Sequence, residues 1–121
     1  MNYNFEAFTG AGSKIDERIT VTKIGSFGIL SGFTKKRLKS ILPKYVELFY
    51  DSEKRAVALH FSDEKQHSRS FAVVNTGGGG SVSARSFFKT YDIDPVAVSG
   101  KYEVQEIEDP QLGKLFVIQL S

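Results

Sequence analysis

The sequence contains no cysteine, and only two of its 121 residues are histidine. Without cysteine the chain can form neither disulfide bonds nor thiolate metal sites, and nothing in its composition favours secretion. Its first residues lack the basic segment and the apolar run of a signal peptide. No apolar stretch reaches the roughly 20 residues that a membrane-spanning helix needs. We therefore expect a cytoplasmic protein without a membrane partner.

The residues that usually carry catalysis are scarce. His60 and His67 match no familiar spacing of zinc ligands, and His60 falls on the outward side of an alternating segment. No serine occupies a G-x-S-x-G elbow. Asp92 and Asp94 stand just before Pro95, as in a turn that ends a helix. We predict surface histidines, no catalytic residue, no metal site and no cofactor, and therefore not an enzyme.

Charges of both signs are present but unevenly distributed. The net charge is only +2, yet residues 1–60 hold ten Lys/Arg and six Asp/Glu, whereas residues 61–121 hold six and eight. The densest basic stretch is KKRLK at 35–39, and the densest acidic stretch is EVQEIED at 103–109. A one-sided basic patch suits an anionic partner, and a solvated helix face shows the same pattern.

The first half of the chain shows a simple succession of patterns. Period-two alternation from Ile19 predicts a strand, and a glycine turn leads into a second strand at 27–30. Leu38 and Ile41 have the spacing of one helical face. Residues 45–61 alternate on either side of a polar turn, which predicts a β-hairpin. The predicted order is therefore strand, strand, helix, hairpin.

The second half repeats this order. Strands are predicted at 70–74 and 81–84, a helix at 85–93 and a hairpin at 101–120. Phe33 and Phe88 are 55 positions apart, and the Lys-Tyr pairs that end at Tyr45 and Tyr102 are 57 apart. One half of about 50 residues buries too little surface to be stable alone. Two halves packed about a pseudo-twofold axis would share one core.

These patterns predict a strand-rich α+β fold with antiparallel sheets and two short helices. A single compact domain at 18–121, built from half-repeats at about 18–61 and 70–120, would follow an N-terminal arm at 1–17. The aromatic residues expected in its core are Phe49, Phe61, Phe71, Phe87, Phe88, Tyr91 and Phe116. Three others, Phe27, Tyr45 and Tyr102, are either core residues or exposed enough to stack on nucleobases.

Four consecutive glycines, Gly77 to Gly80, separate two of the predicted strands. A P-loop would need a lysine directly after its glycines, but the next residues are Ser, Val, Ser and Ala. Glycine accepts the positive φ angles of a tight turn, so the run is predicted to form a flexible hairpin tip. The alternative is a loop that becomes ordered on an anionic partner through its backbone amides.

Residues 18–61 resemble the AbrB-type swapped-hairpin DNA-binding unit, in which a strand with a glycine turn leads into a short basic helix and a β-hairpin. With a second copy at 70–120, the chain resembles the tandem MraZ arrangement. The order of elements is also similar to a circular shift of the Whirly-type single-stranded DNA-binding fold. The first resemblance implies basic residues on duplex phosphates, and the second implies unstacked bases on aromatic strand faces beside a basic rim.

We predict a small nucleic-acid-binding protein of the transcription-regulator type, in which basic residues contact phosphates. The predicted contact residues are Lys23, Lys35, Lys36, Arg37, Lys39, Arg85 and Lys89. The sequence leaves single- and double-stranded DNA open as partners. The alternative function is a non-enzymatic assembly module, in which the basic half of one copy docks on the acidic hairpin at 103–109 of another to form a homo-oligomer.

Overall fold

The computed structural model of the chain describes residues 16–39, 41–64 and 70–120. The elements in these ranges are β1 (Ile19–Val21), β2 (Ser26–Ile29), α1 (Ser31–Arg37), β3 (Tyr45–Asp51), β4 (Ala56–Ser62), β5 (Phe71–Ala72), β6 (Val74–Asn75), β7 (Gly80–Ser83), α2 (Arg85–Thr90), β8 (Gly100–Tyr102), β9 (Gln105–Asp109) and β10 (Gly113–Gln119). They confirm the predicted strand-rich α+β fold class. His67 and nearly all of the predicted N-terminal arm lie outside the described residues.

The strands form two antiparallel sheets of five strands each. The first sheet has the order β6-β7-β2-β1-β8, and the second has the order β5-β3-β4-β10-β9. Each half-repeat contributes strands to both sheets, and the two halves meet at the centre of each sheet. There β2 pairs with β7 in the first sheet, and β4 pairs with β10 in the second.

The strand register at these two central contacts reveals the internal symmetry. Phe27 faces Val82, which is 55 positions later, and Leu59 faces Phe116, which is 57 positions later. In antiparallel strands related by a twofold axis, the residue on the axis faces its own counterpart. These offsets are the same as the repeat spacings in the sequence. The predicted pseudo-repeat is therefore confirmed as a pseudo-twofold arrangement.

The two hairpin turns carry the same signature. Asp51 Oδ1 accepts backbone hydrogen bonds two and three residues on, at 3.0 and 3.2 Å. Asp109 Oδ1 likewise accepts hydrogen bonds from the backbone N–H groups two and three residues on, each at 2.9 Å. These bonds hold the turn and favour the ionised carboxylate, so they lower the pKa of Asp109.

Each helix packs against the hairpin of the other half. Below α1, the Phe33 ring lies 5.0 Å from that of Phe116 in β10. Below α2, the Phe87 ring lies 6.2 Å from that of Tyr50 in β3. Helices of seven and six residues are too short to be stable by themselves, so this packing holds them in place. Phe33 is fully buried in a cluster of core residues to which both halves contribute.

Three aromatic or aliphatic residues lie differently from the prediction. Lys39 adopts a φ of 52° and helix α1 ends at Arg37, so Ile41 is not on a helical face and is 67% exposed. Phe49 lies on the face of β3 that points away from the core and is 38% exposed. Tyr91 follows the last residue of α2 and is 45% exposed.

The predicted strand at 70–74 is divided between the two sheets. Its first part, β5, pairs with the start of β3 in the second sheet, and its second part, β6, pairs with β7 in the first sheet. Val73 stands between them and donates its backbone N–H to the carbonyl of Lys44 at 2.8 Å. The crossing leaves β5 only two residues long, so it covers only Tyr45 and Val46 of the neighbouring strand.

Candidate nucleic-acid interface

Three of the predicted contact residues lie on α2 or in the turn that packs on its start. Lys23 is in the turn between β1 and β2, and this turn packs on α2 of the other half. The N–H of Ala84 donates to the carbonyl of Gly25 at 2.9 Å, and a Cβ on Gly25 would lie only 3.3 Å from Cγ of Arg85. Lys89 is exposed one helical turn further on. We call Lys23, Arg85 and Lys89 the α2 surface.

Three further predicted residues lie at the end of α1. Lys35 and Lys36 are exposed in its last turn, and Lys39 is exposed just beyond it. The left-handed backbone at Lys39 places this residue outside the helix, although the sequence pattern predicted a longer helix. We call Lys35, Lys36 and Lys39 the α1 surface.

The first three glycines of the run form the turn between β6 and β7, as predicted, whereas Gly80 is the first residue of β7. The end of the run faces the start of α1. A Cβ on Gly79 would overlap the carbonyl oxygen of Ile29 and lie 3.2 Å from the backbone nitrogen of Ser31. A Cβ on Gly80 would lie 2.9 Å from Cγ1 of Val73. This turn is the counterpart of the β1–β2 turn that packs on α2. Close packing therefore explains the last two glycines, and the alternative of ordering on an anion stays a prediction.

Arg37 differs from the other predicted contact residues because its charge is compensated. Its Nε donates to Glu17 at 2.8 Å and its Nη1 donates to Glu106 at 2.7 Å. These hydrogen bonds raise the pKa of Arg37 and lower the pKa of Glu106. Lys114 Nζ lies 3.6 Å from the second oxygen of Glu106. A phosphate at Arg37 would have to compete with two carboxylates.

The neighbouring start of β1 is also rich in ion pairs. Arg18 makes a two-point contact with the Asp16 carboxylate, at 3.0 Å for each bond. Lys101 Nζ lies 3.5 Å from the same carboxylate. The hydrogen bonds from Arg18 hold the pKa of Asp16 well below its usual range. In the described ranges, by contrast, no residue of the α1 or α2 surface has an ion-pair partner.

A groove of about 510 Å³ lies between α2 and the edge of β3. It exists because β5 covers only the first two residues of β3 on that side. Tyr50 and Tyr91 line it with ring centroids 5.0 Å apart, and the Phe87 ring lies 5.2 Å from that of Tyr91. Phe71 and Ser70 line it as well. We call this hollow the aromatic groove.

The aromatic groove was not predicted from the sequence. The spacing of Phe87 and Tyr91, four positions apart, places both on one side of a helix. It does not show which strand edge that side meets. Of the three aromatic residues left open by the sequence, Phe27 is fully buried, whereas Tyr45 and Tyr102 are half-buried.

His60 is a correction to the predicted surface histidine. Its Nδ1 lies 3.0 Å from Oε1 of Glu47, the facing residue on β3, and the two side chains are only 16% and 8% exposed. The alternation of β4 does turn His60 away from the core. The neighbouring Glu47 is nevertheless buried, and it is one of the residues that line the aromatic groove. The prediction failed because alternation shows the face of a strand but not what covers that face.

Comparison with protein-family models, with curated proteins and with solved structures finds no match to this chain. The function therefore has to be argued from the geometry alone. Within the described ranges, no helix is long and apolar enough to cross a membrane. The same ranges contain no group of three or more acidic or histidine residues that could hold a metal ion.

Proposed function

We propose that this protein binds nucleic acid and contacts its phosphates through the α1 and α2 surfaces. The observation that carries this proposal is the contrast between two sets of cations. Arg18, Arg37, Lys101 and Lys114 are paired with carboxylates. The six residues of the two surfaces have no ion-pair partner in the described ranges and lie next to the two helices.

Exposed and uncompensated cations suit phosphate binding for two reasons. Their desolvation on binding is small because they keep contact with water, and no carboxylate has to be displaced first. Each neutralised phosphate also releases condensed counterions, which drives binding at low salt. Such contacts fix the position of the nucleic acid but do not read its sequence. The proposal therefore omits Arg37 and includes the other six predicted residues.

The alternative of an assembly module is less well supported by the geometry. It requires the acidic hairpin of one copy to receive the basic half of another. The central acid of that hairpin, Glu106, already accepts a hydrogen bond from Arg37 of the same chain and lies near Lys114. Part of the charge complementarity is thus used within the chain.

The test is fluorescence anisotropy with a labelled single-stranded decamer and a labelled duplex over a range of salt concentrations. Three double variants remove the same charge: Lys35→Ala with Lys36→Ala, Arg85→Ala with Lys89→Ala, and, as a control, Lys54→Ala with Arg55→Ala. The control residues are exposed in the turn of the β3–β4 hairpin and belong to neither the α1 surface nor the α2 surface.

We expect the first two variants to bind more weakly and to show a flatter dependence on salt. For a single strand, losing two phosphate contacts should reduce the slope of log affinity against log salt by about 1.4. The control should bind like the wild type. If the wild type binds neither probe at low salt, the proposed function is wrong. It is also wrong if the control variant loses as much affinity as the other two variants.

A further inference from the structure

We propose that the aromatic groove holds an unstacked base of a single nucleic-acid strand, so that the protein binds single strands in preference to duplexes. This inference rests on the proposed function and names the form of nucleic acid that the α2 surface would take. It is argued from three properties of the groove: its aromatic walls, its unsatisfied polar atoms and the distribution of charge around it.

The walls offer ring surfaces on which a base can stack. Tyr91 is 45% exposed, although its ring also contacts the rings of Tyr50 and Phe87 inside the groove. Every nucleobase has a π face, so stacking on tyrosine does not depend on sequence. A base inserted here would cover the exposed part of the Tyr91 ring and extend the existing aromatic cluster.

The polar atoms in the groove suit a base better than a hydrocarbon ligand. Ser70 is one of the residues that line the groove, and its Oγ is buried just behind the surface without a hydrogen-bond partner in the part of the chain that the structure describes. A buried hydroxyl without a partner is costly, so native proteins rarely leave one. Ser86 and Thr90, which also carry hydroxyl groups, line the α2 side of the groove. Bases carry donors and acceptors around their edges, and these can satisfy such hydroxyls.

The charges set the orientation of the strand. Among the residues that line the groove, Glu47 is acidic and none is basic, so the groove itself offers no charge that attracts a phosphate. Arg85 and Lys89 are exposed on α2, on the same helix as the groove residues Ser86 and Thr90. A strand would therefore place its base inside the groove and its phosphates along α2. The bases of a duplex remain stacked and cannot enter, so a duplex would use only the cationic surfaces.

The test compares a thymidine decamer with an abasic decamer, which has the same number of phosphates but no bases. We expect the wild type to bind the thymidine strand more tightly than the abasic strand. Tyr91→Ala should weaken binding of the thymidine strand by about 5- to 150-fold, the range typical of a lost base–aromatic stack. It should leave binding of the abasic strand and of a duplex unchanged. Tyr91→Phe should keep most of the affinity because the ring remains.

Two further variants separate the groove from general effects. Ile107 on the distant strand β9 is 42% exposed, which is similar to Tyr91. The variant Ile107→Ala should therefore leave binding of every probe unchanged. Ser70→Ala should weaken binding of the thymidine strand without lowering the urea midpoint of unfolding, because the hydroxyl that it removes has no partner.

The outcomes distinguish this inference from the proposed function. If the wild type binds the abasic strand as tightly as the thymidine strand, or if Tyr91→Ala binds both like the wild type, the groove assignment is wrong. The phosphate contacts would then stand if the Arg85→Ala with Lys89→Ala variant still loses affinity. If no strand binds at all, the proposed function fails and the groove assignment fails with it.

Discussion

The two helices meet the opposite hairpins at matching positions, but the side chains at these positions differ. Arg37 and Tyr91 both stand seven residues after the N-cap of their helix. Glu106 and Leu48 both stand three residues before the aspartate that starts the hairpin turn. Beside α1, Arg37 and Glu106 form an ion pair of 2.7 Å. Beside α2, Tyr91 and Leu48 line the aromatic groove.

This contrast separates what the fold needs from what a binding site needs. Both sides share the sheet pairings, the turn that packs on the helix start and the buried phenylalanine below the helix. They differ in the strand β5, which pairs with β3 beside α2 and has no counterpart on β9 among the described strands, and in the outer residues. These residues are charged and mutually compensated on one side and aromatic on the other. The duplicated backbone supplies two similar platforms, and the α2 platform combines uncompensated cations with the exposed aromatic ring of Tyr91.

The largest effect should come from the buried phenylalanines, because they lie below the helices in the shared core. Phe33 and Phe88 are 0% and 2% exposed. We expect Phe33→Ala and Phe88→Ala each to lower the free energy of unfolding by about 3–5 kcal/mol, the range for removing a buried phenylalanine ring. Urea unfolding followed by circular dichroism and by tyrosine fluorescence measures this loss.

The same experiment tests whether the two halves share one core. If they do, each variant unfolds in a single transition that coincides for the two probes. Separate transitions in either variant, with one half unfolding before the other, would contradict a common core. The Ile107→Ala variant serves as a control, since an exposed residue should change stability by no more than about 0.5 kcal/mol.

A smaller effect is expected from the glycines that meet the helix starts. Gly79→Ala would place a methyl group against the backbone carbonyl of Ile29, which cannot move aside without shifting the strand. We expect a loss of about 1–3 kcal/mol, as for other overpacked sites. Gly25 has a φ of 86°, and a Cβ there would lie near the flexible side chain of Arg85. Gly25→Ala should therefore cost about 1–2 kcal/mol, mainly from the left-handed backbone.

Gly77→Ala provides the control for these two glycine variants. Gly77 also has a positive φ, of 88°, but a Cβ would meet nothing within 4 Å. The decrease in unfolding free energy of Gly77→Ala therefore measures the backbone strain alone. If Gly79→Ala is no less stable than Gly77→Ala, close packing does not explain the last glycines of the run, and the turn is looser than its contacts indicate.

The order of elements and the two hairpins could be predicted from the sequence because period-two alternation and turn residues are local signals. The repeat could also be predicted, since the 55- and 57-residue spacings are visible in Phe33 and Phe88 and in the Lys-Tyr pairs. The aromatic groove could not. It depends on the strand at 70–74 leaving one sheet for the other at Val73, and local alternation carries no information about that crossing.

The pairing of Arg37 was also beyond the sequence. Glu106 lies 69 positions away, and no local pattern connects the two residues. The sequence did show a basic stretch and an acidic hairpin, and it raised the possibility that they attract each other. In the structure this attraction occurs within one chain, as the ion pair of Arg37 and Glu106, because α1 packs on the hairpin of the opposite half. The cations that remain uncompensated could be identified only after this pairing was known.

The smallest effect should come from breaking that ion pair. Arg37→Met keeps the aliphatic stem but removes the charge, and we expect a loss of about 0.2–1 kcal/mol at pH 7 because both side chains remain about one-third exposed. The hydrogen bond from Arg37 lowers the pKa of Glu106 below its unfolded value. The pair therefore stabilises the folded state above about pH 4.3 and loses this effect as the pH falls through the lowered pKa.

The pH dependence of the unfolding free energy distinguishes the two helices more sharply than the size of its decrease in either variant. The difference in unfolding free energy between the wild type and Arg37→Met should disappear in acid and should also shrink in high salt. Arg85→Met on α2 is the matched control, because Arg85 has no ion-pair partner in the described ranges, and its difference from the wild type should not depend on pH. If Arg37→Met is as stable as the wild type at every pH, the ion pair is not what occupies the α1 side, and the contrast between the helices rests on the aromatic groove alone.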